Sequence, residues 1–158
     1  FDVPTVIMGG TPTFPYYAAK DDVDLSPGTI FFYDSGYGTN HPDLPFEPAA
    51  YVFGRIISIP TDSTVTIDVG AKAIATYPPG ERGSFPDNEL EPIKQNEEHW
   101  VLGCTDSREY SIGDRIRIIP KHICPTVNLY NRIFLLDDRE MIVDSWIVDG
   151  RERVIDEL

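Results

Sequence analysis

Three short stretches of this chain combine residue types and spacings suited to chemistry. His122 and Cys124 stand two residues apart. Strand residues at that spacing point the same way, so an imidazole and a thiolate can meet one ion if the backbone there is extended. Pro125 supports an extended backbone, because the residue before a proline is pushed away from helical conformations. This donor pair suits zinc better than magnesium or calcium. Two protein ligands fall short of a closed structural site and leave positions open for water or substrate, which is the catalytic arrangement. On spacing alone, two unrelated core residues are the commoner explanation.

The second stretch is Gly9-Gly10-Thr11-Pro12. Glycines at a strand end, running into a helix start, expose backbone N–H groups that can hold a phosphate. An ordinary strand-to-helix turn reads the same way. The third is Glu97-Glu98-His99, where two carboxylates beside His99 would raise its basicity or orient it as a ligand; a solvated loop is the alternative. His41, in a Gly/Pro-rich loop, reads as exposed, and Asp68, Gly70 and Lys72 read as a strand end with a bulge and a surface lysine. No nucleotide P-loop, serine nucleophile elbow or HExxH helix is present.

The elements that must position these residues read as β throughout most of the chain. Residues 3–8 form a short buried strand running into Gly9, and Thr11 and Pro12 suit a helix start over residues 11–20. After the Ser26-Pro27-Gly28 turn, Thr29 to Tyr33 is a β-branched and aromatic strand, and residues 34–48 are an irregular loop. Tyr51 to Ile59 is a long apolar strand. Thr64 to Val69 and Arg115 to Ile118 alternate at period two, and Trp100 to Leu102 is a shorter strand. Residues 78–92 show no periodicity and read as a polar loop. Asp137-Asp138-Arg139 turns a hairpin between residues 133–136 and 140–143, and Asp149-Gly150 offers a tight turn for a last one, between residues 145–148 and 151–155. The expected fold is all-β, a barrel or sandwich with one short helix near its start.

Composition bounds the class. With 158 residues, 41% of them apolar, the chain can bury a real core. Fourteen prolines and twelve glycines favour short elements with frequent turns. A net charge of −13 argues against nucleic acid or an anionic membrane surface as partner, since both demand cationic surface. No apolar run approaches a membrane span and no signal peptide opens the chain. Two cysteines do not make a disulfide scaffold, so a cytoplasmic location with reduced thiols is the default expectation. The start at Phe1, inside a strand-like run, suggests a piece of something longer.

Taken in order, several segments match one family: Gly9-Gly10-Thr11-Pro12-Thr13, Pro27-Gly28-Thr29 with Tyr33-Asp34, Asp68-Val69-Gly70-Ala71-Lys72, Glu98-His99, Gly113-Asp114, and Pro120-Lys121-His122-Ile123-Cys124-Pro125-Thr126-Val127-Asn128-Leu129. The string resembles the D-threonine aldolase and D-serine dehydratase family, relatives of alanine racemase with the type III pyridoxal phosphate (PLP) fold. The resemblance runs from about Gly9 to Trp146, and the Pro-x-His-x-Cys-Pro-Thr-x-Asn segment is its most specific part. It implies an N-terminal (β/α)8 barrel holding PLP on a lysine, followed by a C-terminal β-domain. Residues 1–34 would then be the end of that barrel and its exit strand, and residues 35–158 the metal-binding β-domain. Gly9, Gly10 and Thr11 would lie near the cofactor phosphate, His122 and Cys124 would carry zinc or another divalent metal, and His99 would be a catalytic candidate. Lys72 would not be the Schiff-base lysine, which belongs to the barrel.

The resemblance also implies the chemistry: PLP as electron sink at Cα and the metal as Lewis acid at the β-hydroxyl of a small D-amino acid. A dehydratase would release that hydroxyl as water; an aldolase would cleave Cα–Cβ. The His-x-Cys pair leans towards the dehydratases. The partners implied are the PLP barrel of the same parent protein and, at full length, a second copy in a homodimer; the isolated piece would be inactive. A racemase on the same fold and a free-standing β-barrel binding module are the competing readings. One departure is Trp100, which stands where the family commonly has glycine after Glu-His and would narrow a pocket or alter specificity.

Overall fold

The structure is a computed structural model that describes residues 2–152. Ten strands are present among the described residues: β1 (Ile7–Met8), β2 (Asp24–Leu25), β3 (Val52–Thr61), β4 (Thr64–Ile67), β5 (Gly83–Ser84), β6 (Leu90–Gln95), β7 (Trp100–Cys104), β8 (Arg115–Pro120), β9 (Arg132–Leu136) and β10 (Ile142–Ile147). Three helices interrupt them, none longer than six residues: α1 (Phe14–Tyr17), α2 (Ser35–Asn40) and α3 (Ile123–Val127). The centre is a curled six-stranded antiparallel sheet, a half-barrel, in the order β5-β8-β3-β4-β7-β6. No helix among the described residues is long and apolar enough to cross a membrane.

The sheet follows from the period-two patterns. Along β8, Ile116, Ile118 and Pro120 turn inward while Arg115 stays exposed. β3 presents Val52, Gly54 and Ile56 to the same interior, and β4 adds Val65 and Ile67. These pack with Val69, Ile74, Leu90, Trp100 and Leu102 into one apolar core. Trp100 is fully buried and its ring lies 5.3 Å from that of Phe85. It fills the core and does not narrow a pocket, because β7 turns it to the concave side. The hairpin of β9 and β10 is a separate two-stranded sheet. Glu140 at its turn pairs with both Arg115 and Arg117 of β8 and so ties it to the main sheet.

Several local expectations are corrected. Residues 3–8 are not a buried strand: only Ile7–Met8 is a strand, pairing in parallel with β2, and Val3, Val6 and Ile7 are exposed. Thr29–Phe31 is a 3-10 turn, not a strand, since Tyr33 at φ 51 takes a left-handed conformation that no strand can contain. The stretch assigned to an irregular loop contains α2, and the supposed polar loop over residues 78–92 contains β5 and the start of β6. Pro92 is tolerated in β6 because that strand lies at the sheet edge with a register shift beside the proline. Asp149–Arg151 is a 3-10 turn; the expected strand beyond it runs into residues 153–155, outside the described residues.

Gly70 shows how tightly two loops are pressed together. A Cβ on it would overlap the backbone of Glu97 and Glu98, while Ala71 and Lys72 donate to the carbonyls of Asn96 and Glu97 at 2.9 and 3.1 Å. Gly70→Ala is therefore expected to destabilise the fold by at least about 2 kcal/mol, as overpacking against immovable backbone does. Gly28→Ala, with nothing within 4 Å of the new Cβ, should stay within about 0.5 kcal/mol of wild type. Urea denaturation of the two variants checks the contrast.

Candidate functional site

His122 and Cys124 do not lie on a strand. His122 is the extended N-cap residue of α3 (φ −137, ψ 106), and Cys124 sits in the first turn of that helix. The pre-proline rule is overridden because Pro125 also falls in the first helical turn, where its missing N–H has no intrahelical acceptor to lose. The pair is thus presented by a helix start at the end of β8, with His122 half-buried and Cys124 exposed.

Four buried polar side chains hold this helix start. Asp34, 2% exposed, accepts the Tyr37 N–H at 2.8 Å through one carboxylate oxygen and the Ile123 N–H at 3.0 Å through the other. It therefore caps α2 and α3 together and pins the residue between His122 and Cys124. Thr126, equally buried, donates to the His122 carbonyl at 2.8 Å and accepts the Ala75 N–H at 3.3 Å. Thr29 Oγ1 lies 3.4 Å from Cys124 Sγ, and the Thr29 N–H donates to Thr11 Oγ1 at 3.1 Å. Gly36 completes the clamp: its N–H donates to the Lys121 carbonyl at 3.2 Å, and a Cβ there would overlap that oxygen.

Thr11 brings the second predicted stretch to the same corner. Gly9 takes a left-handed φ of 77, with α1 packed over it. The Gly10 carbonyl accepts from Thr13 and Phe14 at 3.0 and 2.9 Å. Among the described residues, the N–H groups of Gly9, Gly10 and Thr11 have no protein acceptor. That loop fits an oxyanion such as a cofactor phosphate, whose oxygens would take those donors.

His99 is placed elsewhere, in an open groove of about 550 Å³ lined with Ala71, Thr76, Arg82 and residues 95–98. The expected pairing with Glu97 and Glu98 is not formed. Both glutamates turn outward at the β6–β7 bend and meet Lys72, at 3.3 and 2.6 Å, which raises the Lys72 pKa through hydrogen bonds to Glu98 first and Glu97 second. His99 Nε2 instead meets the Asn96 side-chain nitrogen at 2.8 Å. An amide nitrogen only donates, so Nε2 is the acceptor in this contact. The groove adjoins the His122 corner through its own lining: Tyr77 follows Thr76 and its ring lies 6.4 Å from that of His122, while the Arg82 carbonyl accepts from Lys121 N–H at 2.7 Å. His41 is half-buried and ends α2, with its ring 5.6 Å from that of Tyr37.

The donor set at α3 fits a borderline-soft divalent metal, imidazole with thiolate. Among the described residues no three His, Cys, Asp or Glu side chains gather closely enough to hold one, so a closed structural site is not built here. His122 and Cys124 are the residues at this helix start that would hold such an ion. Sequence reading placed Thr29, Asp34 and Thr126 within matching segments but gave them no role at the site. Asp34 had a signal, an Asx residue ahead of Ser35-Gly36-Tyr37 that suits an N-cap, but the glycines masked the helix.

The β-domain thus presents a helix start with one imidazole and one thiol, tied through Thr29 to the Gly9–Thr11 loop. A family model described as "Putative serine dehydratase domain" matches residues 49–136, and the chain belongs to that family. The chain is 29% identical to a D-threonine aldolase of Arthrobacter sp over 93% of its length, covering 39% of the relative. It is 24% identical to the D-serine dehydratase of Dictyostelium discoideum over 92% of its length, covering 42% of that protein. The crystal structure of D-threonine aldolase from Filomicrobium marinum superposes with a TM-score of 0.84 at 23% identity, covering 96% of this chain and 42% of that one. The chain therefore spans about two fifths of the length of the curated relatives it matches.

Asp34→Ala removes the acceptor of two cap N–H groups in a buried setting and is expected to cost about 2–4 kcal/mol. Asp34→Asn, which keeps one acceptor oxygen, should cost less. Equilibrium unfolding in urea measures both.

Proposed function

We propose that this chain is the metal-binding C-terminal domain of a PLP-dependent lyase acting on small D-3-hydroxyamino acids, of the D-serine dehydratase or D-threonine aldolase type. Membership of the serine dehydratase domain family carries the reading, and the convergence of the Gly9–Thr11 loop with Cys124 on Thr29 supports it. In this reading residues 1–34 close a preceding PLP barrel and residues 35–158 form the metal-binding β-domain. The barrel of the same parent protein and a second copy of it complete the working enzyme.

Bound PLP supplies an electron sink for bond cleavage at Cα, and a divalent metal, zinc by donor type, supplies a Lewis acid for the substrate's β-hydroxyl. The chain's own residues do the positioning. Gly9, Gly10 and Thr11 offer N–H donors to the cofactor phosphate. His122 and Cys124 hold the metal and leave positions open for water or the hydroxyl. Asp34 and Thr126 keep those two ligands in register by binding the backbone at Ile123 and His122. His99, with Asn96 fixing its ring, offers an oriented imidazole in the groove beside Arg82 as the candidate catalytic group. Lys72 is spent on Glu97 and Glu98 and takes no part.

The test uses the full-length parent protein reconstituted with PLP, assayed with D-serine and D-threonine before and after chelation. Keto acid or aldehyde release that falls at least about tenfold on chelation and returns with zinc is expected, a change of about 1.4 kcal/mol in barrier. Activity indifferent to chelator removes the metal reading; amino-acid racemisation without either product favours a racemase. His122→Ala and Cys124→Ala should each lower bound zinc measured by elemental analysis, and this chain alone should show neither activity.

A further inference from the structure

The Thr29 side chain is placed where the proposed chemistry has not yet used it. Thr29 is 8% exposed, and its backbone N–H is held by Thr11 Oγ1 at 3.1 Å, which ties its backbone to the Gly9–Thr11 loop. Its hydroxyl lies 3.4 Å from Cys124 Sγ. Among the described residues that hydroxyl is the one hydrogen-bonding partner of the Cys124 sulfur. The rest of the helix start is pinned through backbone groups, at Ile123 by Asp34 and at His122 by Thr126. These fix where Cys124 begins but not where its sulfur points.

A neutral thiol and a hydroxyl can donate in either direction. A thiolate has no proton to give, so the contact persists there only with Thr29 Oγ1 donating. A hydrogen bond to an ionised acceptor is about twice as strong as a neutral one, so the contact tightens when the sulfur becomes a ligand. We propose that Thr29 is a positioning residue for metal binding: its hydroxyl donates to the Cys124 thiolate and aims Sγ at the ion held with His122. The inference rests on the metal reading given above. It also adds a physical link between the Gly9–Thr11 loop and the metal side of the site, running Thr11 to Thr29 to Cys124.

Cobalt(II) titration of this chain, followed by the thiolate-to-cobalt charge-transfer absorption, tests it. Wild type is expected to bind with that absorption, and Cys124→Ser to lose the absorption. Thr29→Val keeps the shape but removes the donor, and should weaken cobalt binding about tenfold or more, the loss of one charge-assisted hydrogen bond. Thr29→Ala guards against misfolding of the valine variant and should show the same loss, while Thr29→Ser should stay within about threefold of wild type. In a Cys124→Ser background Thr29→Val should change the residual affinity less than about twofold, since the partner is gone. Unchanged binding in Thr29→Val and Thr29→Ala, or an equal loss in the Cys124→Ser background, overturns the role of Thr29 and leaves the metal reading standing. Absence of the charge-transfer absorption in wild type removes the metal reading and this inference together.

Discussion

The arrangement of the whole corner depends on one buried carboxylate. Asp34 accepts the N–H of Tyr37 in α2 with one oxygen and, with the other, the N–H of Ile123 in α3, 89 residues further along the chain. A buried carboxylate is costly unless its oxygens are satisfied; here both find donors that would themselves be orphans at helix starts. α2 and α3 are too short, at six and five residues, to be stable by propensity. Each exists because the other half of the clamp is in place. The consequence is that His122 and Cys124 are held against residues 29–36, at a location their own neighbours in sequence could not define.

Around that clamp the buried polar side chains are concentrated unevenly. Among the described residues the buried polar ones are Thr11, Thr29, Asp34, Thr66, Ser107 and Thr126, and four of these make the contacts that fix the α3 start and the Gly9–Thr11 loop. Elsewhere the core is aliphatic with one tryptophan. Polar groups that must all be satisfied at once specify a single geometry more sharply than apolar packing. That precision lies at the α3 start, while the rest of the sheet is held by hydrophobic burial. The ion pairs that fasten the β9–β10 hairpin, from Glu140 to Arg115 and Arg117, lie on the surface and contribute orientation more than stability.

How far the sequence disclosed this differs by element. β4 and β8 were legible because their apolar residues alternate and one face is buried, β3 and β7 from their apolar runs, and the largely exposed β9–β10 hairpin from the turn residues Asp137-Asp138-Arg139. β5 and β6 were not, since edge strands have little apolar pattern and Pro92 reads as a break. α2 was illegible because Ser35 to Asn40 contains two glycines; beside its local cap at Asp34 it rests on the contact of Gly36 with Lys121, which is tertiary. For α3 the local rules pointed the wrong way: Pro125 argued for extension, and the long-range cap from Asp34 won. The identities of His122 and Cys124 could be singled out from their motif, but the reason they stay together could not, because Asp34, Thr29 and Thr126 act across the fold. His99 was legible as a candidate, whereas its partner was not: Lys72 draws away the adjacent glutamates, and Asn96 takes their place.

His122 and Cys124 are proposed to share one open divalent-metal site. X-ray absorption at the zinc edge of the zinc-loaded protein measures that ligand set directly. One sulfur at about 2.3 Å is expected, with nitrogen and oxygen donors completing the shell, and loss of the sulfur in Cys124→Ser. A zinc shell of nitrogen and oxygen alone in the wild type, or a sulfur that persists in Cys124→Ser, would contradict it.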